Sequence, residues 1–230
     1  MSFGIKTAQG LQKMHSVHVD SLPVNFLKYI KSTGNSVIQT DIVPSYDWEV
    51  FFDLKIENPK NNSGNDIFFG TRKAVETSEH FLMAFSFAQN WSAYTAWSGF
   101  SPTNQDSIYV SNIDNAIGKR QCCIMRRGNA KCIFGDKSFT MTTRTTDDTP
   151  STPIGIAGFD SDDPNEYGIL PYSRSDITIY GITLLDENGA VIHNFVPAQA
   201  KGNGRAGLYD VITGKWYPSD SNYDDFVKGV

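Results

Sequence analysis

Between Trp48 and Glu57 apolar and polar positions alternate. Trp48, Val50, Phe52, Leu54 and Ile56 fall on one face, and Glu49, Phe51, Asp53, Lys55 and Glu57 on the other. A period of two is that of a strand with one face buried. Asn58 to Asp66 follows as a turn cluster rich in Asn, Gly and Pro. Ile67 to Gly70 opens the next strand. His80 to Ala88 makes another, with Phe81, Met83, Phe85 and Phe87 on one face. Lys119 to Phe134 reads as a hairpin turning at Gly128-Asn129. Thr142 to Pro153 is a Thr-, Asp- and Pro-rich loop, Pro153 to Phe159 a short strand, and Asp160 to Tyr167 an acidic loop. Asp176 to Leu185 and Ala190 to Val196 are two strands joined by a turn at Asp186-Glu187-Asn188-Gly189. Helical periodicity is confined to single turns around Arg72 to Ser78 and Tyr223 to Lys228. Many short strands punctuated by turn residues predict an all-β sandwich or jelly roll. Residues 1–25 alternate at Met14, Val17, Val19 and Leu22 and form a short N-terminal arm, either an extra strand or an extension docked on a neighbouring subunit. Residues 26–230 form the main domain.

Composition supports a packed core. The chain has 230 residues, 40% of them hydrophobic, including 15 Phe, 10 Tyr and 4 Trp, which suits one large domain. A net charge of −5 argues against a nucleic-acid footprint, and the basic clusters Lys119-Arg120 and Arg126-Arg127 read as a solvated hairpin. No stretch approaches the roughly 18 apolar residues of a membrane span. The N-terminus lacks the basic-then-apolar pattern of a secretory signal. The three cysteines, Cys122, Cys123 and Cys132, are odd in number and confined to one hairpin. They fit free thiols in a reducing cytosol rather than a disulfide framework. Adjacent Cys122 and Cys123 face opposite sides of a strand, so a zinc site is not expected.

The C-terminal run is the most specific. Phe195-Val196-Pro197, Gly207-Leu208-Tyr209-Asp210 and Gly214-Lys215-Trp216-Tyr217 are apolar runs separated by Gly-containing turns. Near the start lies Tyr29-Ile30-Lys31-Ser32-Thr33-Gly34-Asn35-Ser36-Val37-Ile38-Gln39-Thr40-Asp41. The two segments resemble the opening and closing segments of concanavalin A-like (laminin-G-like) jelly-roll domains of phage structural and gut-bacterial proteins. They bracket residues 26–217. The resemblance implies an all-β, two-sheet antiparallel jelly-roll sandwich and a phage or gut-bacterial setting. Placed in a hairpin, Leu208, Tyr209, Trp216 and Tyr217 close the sandwich, with Gly207 and Gly214 allowing its turns.

Candidate chemistry is sparse. Related jelly-roll glucanases carry a Glu-x-Asp-x-x-Glu strand pattern that is absent here. Glycoside hydrolysis needs two carboxylates roughly 5–9.5 Å apart, whereas Glu49, Asp53 and Glu57, though on one face, are spaced about 13 Å per four residues. No Gly-x-Ser-x-Gly elbow, His-Glu-x-x-His helix or phosphate loop is present. The histidines read as surface or core residues. Asp160, Asp162 and Asp163 offer the oxygen ligands of calcium, but Pro164 and Asn165 break the EF-hand pattern. The alternative is a solvated loop, and no other cofactor is implied. Trp91, Tyr94 and Trp97, interleaved with Gln89, Asn90 and Ser92, offer flat rings for sugar stacking. The alternatives are core packing or a subunit interface. On a regular strand, Trp91 and Trp97 share one face and Tyr94 takes the other.

The resulting expectation is a non-enzymatic virion protein of a tailed phage, a capsid decoration, head-fibre or tail-associated subunit, assembled in the host cytoplasm. Its expected partners are other virion proteins, further copies of itself and a host-surface glycan. The alternatives are a glycan-active hydrolase of the glucanase type and a bacterial surface interaction module.

Overall fold

The computed structural model describes residues 21–45, 48–57, 66–75, 78–90, 93–101, 107–110, 117–125, 131–134, 137–140, 153–158 and 176–230. These contain seventeen β-strands and no α-helix. The larger sheet runs β11 (Lys137–Thr140), β10 (Lys131–Phe134), β9 (Arg120–Met125), β4 (Glu49–Ile56), β13 (Ile177–Leu185), β14 (Val191–Ala200), β15 (Ala206–Asp210) and β16 (Lys215–Pro218). Three short strands join it off this path. β1 (Val24–Phe26) pairs with β14, β2 (Tyr29–Lys31) with β13, and β17 (Val227–Gly229) with β2. The smaller sheet runs β3 (Ile38–Gln39), β12 (Gly155–Ile156), β5 (Asp66–Val75), β6 (Ser78–Asn90), β7 (Ala93–Ser101) and β8 (Ser107–Val110). All the pairings are antiparallel.

The alternation along β4 decides which side is buried. Val50, Phe52 and Leu54 are fully buried and Ile56 nearly so, while Glu49, Phe51, Asp53 and Lys55 keep partial exposure. The buried row packs against the smaller sheet. Phe52 meets Phe69 edge to face, 6.2 Å between ring centroids. Ile38, Ile156, Phe68 and Phe69 share one apolar cluster with Ile179, Ile182, Leu184 and Phe195. Two antiparallel sheets with a common inner face make the arrangement of a β-sandwich.

Two expectations are corrected. Arg72 to Val75 lie in β5, paired with Ser78 to Phe81 of β6, rather than in a helical turn. Tyr223 to Lys228 likewise form no helix, because Val227–Gly229 pairs with Tyr29–Lys31. In both places a neighbouring strand supplies the hydrogen bonds that a single turn would have made locally. Val24–Phe26, at the junction of arm and domain, is β1 of the larger sheet. Met14, Val17 and Val19 lie outside the described residues, as do the turn at Gly128-Asn129 and the loop 142–152. Cys122 and Cys123 do face opposite sides, Cys123 fully buried and Cys122 half-buried. Among the described residues no helix is long and apolar enough to cross a membrane.

Gly207 serves a different purpose from the one its motif implies. It stands within β15, opposite Pro218. A Cβ there would lie 2.2 Å from the Tyr217 carbonyl oxygen and 2.8 Å from Pro218 Cα. The glycine therefore permits close approach of β16, whereas Gly214, at φ 74°, does make the turn. Because the colliding atoms are backbone, Gly207→Ala should cost about 3 kcal/mol and lower Tm by roughly 10 °C, measured by calorimetry. Unchanged melting would show that β16 can move away freely.

Candidate functional site

The described groups with the most specific chemistry gather where the opening and closing segments meet. β15 and β16 form a hairpin around Asp210, whose register partner on β14 is Phe195. Asp210 is fully buried. One carboxylate oxygen accepts from the backbone N–H groups of Asn194 at 2.9 Å and Ile212 at 3.0 Å. The other accepts from Thr213 Oγ1 at 2.6 Å and His193 Nδ1 at 2.8 Å. Burial works to raise this carboxyl. The bonds from His193, Asn194, Thr213 and Ile212 outweigh it, and the group sits below its ordinary range. An ionised Asp210 fixes the His193 tautomer, with Nδ1 carrying the proton. The imidazole stacks on Phe195, 5.7 Å between centroids, and lies 6.1 Å from the Trp48 ring.

Next to this hub the two motif segments join directly. Asp41 accepts from Lys215 Nζ and, at 3.1 Å, from the Tyr217 hydroxyl. The Lys215 bond holds Asp41 below the ordinary carboxylate range against a small opposing effect of burial. Burial and the bond to Asp41 hold the Tyr217 hydroxyl well above its own range. Asp225 accepts from Ala206 N–H at 3.0 Å, Phe226 N–H at 3.0 Å and Ser219 Oγ at 2.8 Å. Thr33 donates to Asp224, and Asp220 N–H donates to the Val37 carbonyl. Arg205 spans the same corner, donating to Ser219 and the Asp220 carbonyl.

This arrangement has the components of a His–Asp pair, but its hydroxyl neighbour Thr213 is tied to the same carboxylate. The carboxylates on the outward face of β4 are also engaged. Asp53 holds Arg120 through two bonds of 2.9 and 2.7 Å. Glu57 accepts from Thr178 Oγ1 and pairs with Lys55 at 2.9 Å. Among the described residues Asp53 and Glu57 are thus each held by a cation rather than left free for acid–base work. Among the described residues no group of three or more His, Cys, Asp or Glu could hold a metal ion.

Of the site residues expected from sequence, Trp91, Asp160, Asp162 and Asp163 lie outside the described residues. Tyr94 and Trp97 are both on β7. Tyr94 stands opposite Gln89 and Val110, and Trp97 opposite Ser86 and Ser107. The His193–Asp210 pair escaped the sequence reading. Its 17-residue separation becomes a contact only through the β14–β15 register. The one available signal was an Asp ending a strand before a Thr-Gly turn, a position suited to capping that turn.

Comparison with family models, with curated proteins and with solved structures finds no match.

Asp210 also sets a pH dependence. Its pKa is lower in the folded than in the unfolded chain, so its contribution is fully present above the ordinary value of 3.8 and is lost as the pH falls through the lower folded value. Asp210→Asn removes the charge and sets an NH2 donor among groups that donated to the carboxylate, and should cost about 3 kcal/mol at pH 7. Urea midpoints measured from pH 7 down to pH 2 should fall less steeply in the variant. Parallel curves would assign the acid sensitivity elsewhere.

Proposed function

We propose that this protein is a non-enzymatic, concanavalin A-like jelly-roll subunit of a tailed-phage particle, acting in capsid decoration, a head fibre or the tail. One observation carries the non-enzymatic part. Asp210 and Asp225 of the closing segment hold turns and strand ends together, and Asp53 and Glu57 on the outward face of β4 are each paired with a cation. Groups bound this way serve rigidity, and a rigid sandwich anchored by its ends serves assembly and display. The setting rests on the resemblance of the opening and closing segments to phage and gut-bacterial jelly rolls.

Host glycan is the proposed outward partner, with Trp97 and Trp91 as the first contact residues, while Tyr94 belongs to the alternate face of β7. The proposal rests on the chemistry of the segment, whose flat aromatic rings suit stacking on sugars while Gln89, Asn90 and Ser92 beside them suit hydroxyl groups.

Mass spectrometry of purified particles should detect the chain at stoichiometric level, and incubation with β-glucans should release no reducing ends. Reducing ends that appear with wild-type protein and not with a mock preparation would sink the non-enzymatic reading. On a glycan array, Trp97→Ala should lose ligands while melting normally, and an unchanged profile would remove the β7 proposal.

A further inference from the structure

The outward face of the larger sheet carries an ordered cluster that neither the core nor the closing hairpin uses. Arg120, Lys55, Thr178, Lys31 and Val227 form one row across β9, β4, β13, β2 and β17. Beside that row lie Cys122, Asp53, Tyr180 and Tyr29. Tyr180 and Gly181 make a β-bulge opposite Asp53, and bulges of this kind re-aim a side chain. The result sets Tyr180 edge to face with Tyr29, 5.9 Å between centroids. The Arg120 guanidinium lies over the Tyr180 ring at 4.1 Å while holding Asp53 through two bonds. Tyr29 lies against Gly229, where an added Cβ would be 2.3 Å from the ring. Both tyrosines remain half-buried, so part of each ring is in water.

Holding exposed side chains this firmly costs conformational entropy, and such an arrangement is pre-organised for contact. The charges on the face indicate its chemistry. Each cation faces a carboxylate: Arg120 with Asp53 at 2.7 Å, Lys55 with Glu57 at 2.9 Å, and Lys31 with Asp176 at 3.9 Å. An anionic ligand would have to break one of these pairs. A neutral hydroxyl can instead donate to the carboxylate and accept from the guanidinium of the same pair. The Asp53 and Arg120 side chains are 37% and 59% exposed and open to such bonds. The neighbouring Cys122 thiol offers no competing reactivity, since burial, reinforced by Asp53, pushes its pKa up to about 11.

We propose that this face binds a neutral saccharide chain, with Tyr29 and Tyr180 as its apolar platform and the Asp53–Arg120 pair as its hydrogen-bonding arm. The site is on the sheet opposite to β7 and does not depend on Trp97.

The test titrates neutral β-glucan, mannan and galactan oligosaccharides, and a sulfated form of each, against the full chain and three variants: Tyr180→Ala, Asp53→Asn and Trp97→Ala. Asp53→Asn changes an exposed pair, so it should keep the fold even if Tyr180→Ala does not. At least one neutral oligosaccharide should bind. Its affinity should fall about tenfold or more in Tyr180→Ala and in Asp53→Asn, stay unchanged in Trp97→Ala, and gain nothing from sulfation. The proposal is overturned by no neutral binding at millimolar concentration, by tighter binding of the sulfated forms, or by affinity unchanged in a folded Asp53→Asn. Loss of binding in Trp97→Ala alone would place the sugar on β7. Self-association abolished by both Tyr180→Ala and Asp53→Asn, with no sugar bound, would give the face to a second copy.

Discussion

The C-terminal residues hold the Tyr29–Asp41 segment in place, and the larger sheet depends on that clasp. β2 is a three-residue strand lying between β13 and β17. A strand this short is marginal alone. It is secured by a partner on each side and by a series of bonds just beyond its end. Ser32 N–H donates to the Ile177 carbonyl, Asp224 N–H to the Asn35 carbonyl, and Lys215 and Tyr217 both reach Asp41. The buried anion Asp210 fixes the hairpin that carries Lys215 and Tyr217. Four donors converge on its carboxylate, so desolvation of the charge is tolerated only while the hairpin keeps this shape. Asp225 does the same for the final corner by tying β15 to the start of β17.

This arrangement explains why so much of the fold could be read from local sequence. The β4 strand announces itself through strict alternation, because one of its faces is in the core and the other in water. The β13–β14 hairpin was legible for a similar reason. Its turn carries Asp186, whose carboxylate accepts from the N–H groups of Asn188 and Ala190. What escaped was non-local. Arg72 to Val75 looked helical because the β6 partner cannot be seen in a short window. Gly207 looked like a turn residue because its requirement comes from the Tyr217 backbone ten residues away. The outward cluster was invisible for the same reason. Tyr29, Arg120 and Tyr180 are brought together by strands β2, β9 and β13, and the bulge that turns Tyr180 toward its neighbours has no sequence mark except the glycine after it.

The two families of acidic residues then divide by purpose. Asp210 and Asp225 face inward or toward corners and serve folding. Asp53 and Glu57 face outward and balance cations on a surface rich in tyrosine. Among the described residues these two groups therefore serve different ends, Asp210 and Asp225 fixing turns and Asp53 and Glu57 balancing surface cations.

If the clasp secures the larger sheet, the Tyr29–Asp41 and C-terminal segments form one cooperative unit with the core. Native-state hydrogen exchange measures it at the N–H groups of Ser32, Asn194, Ala206, Ile212 and Asp220, each bonded across the junction or to its carboxylates. These amides should exchange with the opening free energy and denaturant dependence of the core amides of β4 and β13. Exchange through a smaller, separate opening of residues 205–230, with the core amides still protected, would contradict that cooperativity.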